Sequence, residues 1–295
     1  MRVIRAKSAG FCLGVSLAVK CLDREIEERG ARLRTGAAGR GKGRLITLGP
    51  IIHNPLLMRS YAGAGVVCDG DPEELRPEDR VVIRAHGIPR DVEEKLRKSG
   101  AGLVDATCPK VKKAQLAIGE AKDGVLLLFG EKEHPEVRGL ISYAGPRAFV
   151  FGTLDELRAL VPEPGADYCL AAQTTQDREI FLKAGEYLRA RLGGRLRVLD
   201  TICQATKARQ SEVLGMRGKV GSLVVVGGFN SGNTRRLAEV ARSAGIFALH
   251  VEQPSDFAQN DLQKIKAGGE PAGVSAGAST PAEQIDEICG FLESL

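Results

Sequence analysis

Tryptophan is absent from this sequence, and aromatic residues make up only 4% of it. Proteins that hold single-stranded nucleic acid stack bases on aromatic rings. The small basic excess, 42 Lys and Arg against 37 Asp and Glu, is therefore not read as a nucleic-acid surface, and the charges are dispersed, as from Asp91 to Lys98. A mild positive balance suits a small anionic substrate instead. Long apolar runs are also missing: Val125 to Phe129 and Leu223 to Val226 are typical, far short of the roughly 20 residues that span a bilayer. The first residues, Met1 to Lys7, lack the apolar core and cleavage pattern of a secretory signal. Seven cysteines, an odd number with no Cys-x-x-Cys pair among them, argue for a reducing compartment and against a disulfide framework. A cytoplasmic protein with neither membrane nor nucleic-acid partners is the expectation.

What the chain does have is a pattern that recurs three times. Val3 to Cys12, Gly102 to Cys108 and Val198 to Cys203 each run from an apolar strand to a cysteine and then into a helix. The cysteines are spaced by 96 and 95 residues, which cuts the chain into thirds. Between them, strands and helices alternate: strands at Arg44 to Leu48, Gly65 to Cys68 and Val81 to Arg84 in the first third, at Val125 to Phe129, Ala148 to Phe151 and Tyr168 to Ala171 in the second, and at Leu223 to Val226, Phe247 to Val251 and Ala272 to Val274 in the third. Strand alternating with helix predicts parallel sheets. The expected fold class is α/β, three pseudo-threefold-related lobes spanning 1–101, 102–195 and 196–295, each a mostly parallel four-stranded sheet with flanking helices around a central cofactor cavity.

Ligands of such sheets sit beyond the carboxyl ends of the strands. The residues found there are polar or thiol in every lobe: Cys12, His53 and His86; Cys108, His134, Glu136 and Thr174; Cys203, Ser231, Asn233 and Ser279. If the lobes face one another, these groups converge on one site. Three thiolates around a threefold axis match three irons of a 4Fe–4S cluster and leave the fourth iron open; zinc on three cysteines is the alternative. Cys21, Cys68, Cys169 and Cys289 fall on apolar faces and are assigned to packing. Three of the four histidines stand at strand-to-helix turns, where imidazole, hydroxyl and amide groups can cradle phosphate oxygens or simply cap helices; His250, in mid-strand, is assigned a structural role. Glu136 is expected in a first helical turn, where the dipole lowers a carboxyl pKa, whereas a proton donor at neutral pH needs it raised.

Several motifs taken together carry a resemblance: Gly10-Phe11-Cys12-Leu13-Gly14-Val15, His53-Asn54-Pro55, Arg84-Ala85-His86-Gly87, Asp105-Ala106-Thr107-Cys108-Pro109, His134-Pro135-Glu136-Val137, Gln173-Thr174-Thr175, Asp200-Thr201-Ile202-Cys203, Asn230-Ser231-Gly232-Asn233 and Ala276-Gly277-Ala278-Ser279. Over essentially its full length the chain resembles the 4-hydroxy-3-methylbut-2-enyl diphosphate reductases of the non-mevalonate isoprenoid pathway. The resemblance implies a 4Fe–4S cluster on Cys12, Cys108 and Cys203, with the substrate's allylic hydroxyl at the open iron. It implies diphosphate recognition by His53, His86, His134, Ser231, Gly232, Asn233 and Ser279, and a catalytic group of Glu136, Thr174 and His134, with Thr174 near the hydroxyl and Glu136 supplying protons. The implied reaction is reductive dehydroxylation to isopentenyl and dimethylallyl diphosphates, with ferredoxin or flavodoxin as electron donor. Two features depart from the family pattern. Gly232 stands where many relatives have a second serine, and an insert runs from Thr35 to Gly43 with Arg40 and Lys42, read as a flexible connection or, less favourably, a docking site for an acidic ferredoxin. A quinolinate-synthase-like lyase could also place three cysteines around an open iron but would need carboxylate-reading groups, and a non-enzymatic anion-binding protein would leave Glu136 and Thr174 without a purpose.

Overall fold

The computed structural model describes residues 1–35 and 43–295. Residues 36–42, with Arg40 and Lys42 of the expected insert, lie outside the described residues. Strands and helices alternate along the chain: β1 (Val3–Arg5), α1 (Leu13–Thr35), β2 (Leu45–Thr47), α2 (Pro55–Gly63), β3 (Val66–Val67), β4 (Arg80–Ile83), α3 (Arg90–Lys98) and β5 (Gly102–Asp105). The middle of the chain follows with α4 (Pro109–Glu120), β6 (Val125–Phe129), α5 (Pro135–Ile141), β7 (Ala148–Phe151), α6 (Leu154–Arg158), β8 (Tyr168–Ala172), α7 (Arg178–Leu192) and β9 (Leu196–Val198). The last part comprises α8 (Gln204–Leu214), β10 (Ser222–Val226), α9 (Gly232–Ser243), β11 (Ala248–Val251), α10 (Gln259–Gly268), β12 (Ala272–Ala276) and α11 (Ala282–Glu293). No helix among the described residues is long and apolar enough to cross a membrane.

Among the described residues three four-stranded sheets form, in the orders β1-β12-β10-β11, β3-β2-β4-β5 and β7-β6-β8-β9. Every pairing is parallel. The three-sheet α/β architecture is thus the expected one, but its phase is shifted by one strand. β1, β5 and β9, expected to open the lobes, close the sheets of the lobes before them: β5 pairs with β4, β9 with β8, and β1 with β12 of the chain's last third. A repeat read from sequence has no intrinsic starting point. In the chain, β4, α3 and β5 form a compact βαβ unit, and such units place their two parallel strands in one sheet.

By compactness the chain divides into two units, one of residues 1–12, 53–55 and 203–295 and one of residues 13–52 and 56–202. The first carries the β1-β12-β10-β11 sheet and the second the other two. Parallel sheets are covered by helices on both faces, so their central strands read as unbroken apolar runs. In the second unit, Val125, Leu127 and Phe129 of β6 enter a core with Leu170, Phe181 and Leu188. The intervening Leu126 and Leu128 enter another with Ala114, Val137, Leu140 and Ala171. In the first unit the same alternation sends Leu223 and Val225 of β10 against Leu237 and Ala241, and Val224 and Val226 against Ile265, Ile285 and Ile288. Each such fully buried side chain contributes about 2 kcal/mol of transfer free energy.

The strand orders also fix where a ligand can sit. In each sheet the chain steps outward from one central strand and resumes at the other, so the switch points lie between β2 and β4, β6 and β8, and β10 and β12. A crevice opens beyond the carboxyl ends of such strand pairs.

Candidate functional site

The residues singled out from sequence follow these central strands or cap the helices after the edge strands. In the unit of residues 13–52 and 56–202, His134 caps α5, with Pro135 at the first helical position. Proline is favoured there because that N–H has no helical partner. The Glu136 N–H donates to His134 Nδ1 at 3.1 Å, which leaves the proton of a neutral ring on Nε2, as a donor. The His86 ring meets that of His134 edge-on, with centroids 5.5 Å apart. His86 lies in the turn after β4, where Arg84 Nε donates to the Gly87 carbonyl.

Glu136 is 2% exposed. Its Oε1 accepts from the Thr174 N–H at 2.6 Å and its Oε2 from the Thr174 hydroxyl at 3.1 Å. Burial pushes the carboxyl up to about 7, against the opposing pull of the two Thr174 hydrogen bonds. The conflict between helix dipole and environment that the sequence leaves open is decided by desolvation, which disfavours the charged form. Gln173 fixes the same turn from behind, its Oε1 accepting from the Glu131 N–H at 3.1 Å and its Nε2 donating to Thr175 Oγ1 at 3.2 Å.

Cys108 caps α4, again ahead of a proline at the first helical position, and its N–H donates to the Ala85 carbonyl at 2.9 Å. A Cβ added to Gly14 would run into Cys108 Sγ and lie 2.9 Å from its Cβ. Glycine at position 14 therefore clears the space beside the thiol. Gln115, on α4, was not singled out from sequence. It is 1% exposed, its Oε1 is buried without a hydrogen-bond partner, and its Nε2 lies 2.8 Å from where a Cβ of Gly87 would stand. Glutamine among helical residues carries no signal that marks it.

In the other unit, Cys12 and Cys203 are half-buried. The Cys12 N–H donates to the Ala278 carbonyl at 3.2 Å, and Cys203 caps α8. Arg209, which sequence reading missed, is 4% exposed and donates from Nη2 to the Gly10 carbonyl at 2.5 Å. Its only sequence signal is that α8 lacks a clean apolar stripe: its buried residues are Thr206, Arg209, Gln210 and Val213.

The same unit gathers the hydroxyl and amide groups. Ser231 caps α9, and its Oγ accepts from the Thr234 N–H at 3.3 Å and hydroxyl at 2.9 Å. Gly232 begins the helix, so its N–H points out of the helix start without an intrahelical acceptor. Asn233 Nδ2 is buried and unpartnered, a donor beside a positive helix end, the combination of groups that favours an anion. Ser279 Oγ donates to the His53 carbonyl at 3.0 Å, and Asn54 Nδ2 to the Ser279 carbonyl at 3.1 Å. His53, Ser279 and the start of α11 are thereby tied together. His250 plays the structural part expected of it: its Nε2 lies 2.8 Å from the Gly227 carbonyl, and burial lowers its pKa. Cys169 is 2% exposed within a core, and burial pushes its thiol up to about 11.

Taken one by one, the cysteines have the chemistry an iron–sulfur group takes: thiols are soft ligands, Cys108 and Cys203 each precede the start of a helix, where negative charge is favoured, and Gly14 clears the flank of Cys108.

The profile of the family described as LytB protein matches residues 3–293. The chain is 53% identical to the 4-hydroxy-3-methylbut-2-enyl diphosphate reductase of Nitratidesulfovibrio vulgaris strain DP4, over the whole of both chains. It is 39% identical to that of Geobacter sp. strain M21, over all of this chain and 98% of the other. A solved structure of (E)-4-hydroxy-3-methyl-but-2-enyl diphosphate reductase, described as the terminal enzyme of the non-mevalonate pathway, is 35% identical over the whole of both chains, with a TM-score of 0.65. The corresponding reductase from Plasmodium falciparum, at 21% identity, shares the fold with a TM-score of 0.86 over 98% of this chain and 87% of that one. Matched from residue 3 to residue 293 and more than half identical to full-length relatives, this chain belongs to the LytB protein family.

Proposed function

We propose that this protein reduces 4-hydroxy-3-methylbut-2-enyl diphosphate to isopentenyl and dimethylallyl diphosphates. The allylic C–O bond breaks and a C–H bond forms. Two electrons and two protons are consumed, and the hydroxyl leaves as water. The electrons arrive one at a time from a ferredoxin or flavodoxin, since no nicotinamide-binding fingerprint is present to supply hydride. Cys12, Cys108 and Cys203 would together hold a 4Fe–4S cluster, whose chemistry when bound is one-electron transfer and Lewis acidity at an iron without a protein ligand.

The chain's own groups divide the remaining work. Ser231 and Asn233, with the Gly232 N–H, offer donors at the positive end of α9, and Ser279 stands at the turn tied to His53. Together with His53, His86 and His134 they form a set of neutral or cationic donors suited to diphosphate oxygens. The missing hydroxyl at Gly232 leaves one donor fewer than a serine would give, while its backbone N–H remains able to donate. Thr174 is assigned to the hydroxyl of the substrate and Glu136 to its protonation.

The observation that carries this reading is the Glu136 and Thr174 pair. A carboxyl buried to 2% exposure with its pKa near 7 holds or gives up a proton at neutral pH. In a protein that merely bound anions, a buried acid among phosphate-binding groups would repel the ligand. The test is anaerobic incubation of the iron–sulfur-loaded protein with the substrate and a reduced low-potential donor, with the products separated by chromatography. The two five-carbon diphosphates are expected. A fully loaded protein that binds the substrate without consuming it would overturn the assignment.

A further inference from the structure

Arg209 is a charge in an expensive place. Its side chain is 4% exposed, and no ion pair joins it to a carboxylate among the described residues. Its hydrogen bonds go to two backbone carbonyls, Nη2 to Gly10 at 2.5 Å and Nη1 to Ala205 at 3.2 Å, and its Nε is buried with no partner. A guanidinium so placed needs negative charge nearby to justify its burial. Burial pulls its pKa down, and the groups that pull it back up are Cys12 first, Cys203 second and Glu212 third. The Glu212 carboxylate is already engaged by the N–H groups of Lys7 and Ser8 and by the Ser8 hydroxyl. Arg209 stands on α8, the helix that Cys203 precedes, and holds the carbonyl of Gly10, two residues before Cys12; the negative charge it can answer is therefore that of a group carried by these two cysteines. Its bond to Gly10 also grips the loop two residues before Cys12.

We propose that Arg209 is a positioning residue that holds the Cys12 loop and places a fixed positive charge beside the iron–sulfur group carried by Cys12 and Cys203, so raising its reduction potential; this rests on the cluster reading given above. Reduction adds negative charge, and a buried cation stabilises the reduced form with little screening by solvent. Arginine suits the task because it stays charged when buried and can bond two carbonyls at once.

The experiment is a redox titration of the anaerobically loaded parent, Arg209→Lys and Arg209→Gln proteins, followed by absorption and EPR, with iron content and circular dichroism measured on each. The Gln variant is expected to show a reduced-to-oxidised ratio at least tenfold lower at a fixed potential, a shift of about 59 mV to the negative for a one-electron couple. The Lys variant keeps the charge and is expected to stay within about threefold of the parent. A Gln variant that holds its cluster at the parent potential overturns the proposal. So does a Lys variant shifted or depleted of iron as far as the Gln variant, because the residue would then be a backbone clasp only. If Gln loses the cluster while Lys keeps it at the parent potential, the charge role stands. A parent that takes up no cluster removes the cluster reading and this inference with it.

Discussion

Replacing Glu136 by glutamine tests the acid role with little change of shape. Thr174 N–H can still donate to the amide oxygen, and the amide nitrogen can donate to the Thr174 hydroxyl, so both contacts at 2.6 and 3.1 Å have replacements. What disappears is the proton. Because the carboxyl titrates near 7 when folded, against an ordinary value of 4.5, the folded state binds the proton more tightly than the unfolded chain. The stabilisation from the protonated, buried form is fully present below pH 4.5 and is lost as pH rises through 7. The gap between 4.5 and about 7, at about 1.4 kcal/mol per pH unit, makes this a loss of roughly 3 kcal/mol between mildly acid and mildly alkaline solution. Glu136→Gln lacks the titration, so its stability relative to the parent rises by about that amount from pH 5 to pH 9. Denaturant unfolding of both proteins at those two pH values reads the difference directly. Turnover of the Gln variant is expected to fall by a factor on the order of 100 to 10,000, the usual worth of a positioned general acid, with substrate binding retained. Parent-like turnover, or a relative stability that does not change with pH, would refute the reasoning.

Gly14→Ala brings a methyl group against the Cys108 thiol; iron bound per chain is expected to fall by at least half while the circular dichroism spectrum is kept. Gly277→Ala places a Cβ on Thr234 Oγ1 and 3.1 Å from its Cβ, which displaces the hydroxyl that bonds Ser231. Titration of a loaded variant with the diphosphate substrate should show binding weakened about tenfold or more. Asp79 is 2% exposed and pairs with Arg44 at 2.7 Å. Burial alone would raise its pKa, and the hydrogen bonds from Arg44 and from the Arg44 and Arg76 N–H groups overcome that and leave it below the usual range. Asp79→Ala is expected to cost about 2 kcal/mol at neutral pH, the usual worth of hydrogen bonds to a buried charged group, since Arg44 itself stays solvated, and the loss shrinks as pH falls through the acid range in which Asp79 itself protonates; equal cost at pH 7 and pH 2.5 in urea unfolding would contradict this.

The residues at strand ends were legible because parallel α/β sheets put polar side chains where strands stop and helices start, and the X-Pro pairs at Asn54-Pro55, Cys108-Pro109 and His134-Pro135 mark those helix starts. The alternation of buried strands and amphipathic helices was legible for the same reason. The phase of the repeat was not, since β1, β5 and β9 follow the same pattern whichever sheet they join. Arg209 and Gln115 escaped notice because a polar residue at one helical position looks solvated until the neighbouring elements cover it. The pKa of Glu136 depended on how deeply the β6 and β8 turns bury it, a three-dimensional quantity that no residue pattern carries.

The most direct test of the central claim is anaerobic iron and sulfide analysis, with absorption spectra, of the parent and of Cys12→Ser, Cys108→Ser and Cys203→Ser. The account predicts about four irons and four sulfides per chain in the parent, as a 4Fe–4S cluster requires, and loss of the cluster in each variant, while Cys169→Ser keeps it. Stoichiometric zinc in the parent, or a cluster that survives any one of the three substitutions unchanged, would contradict it.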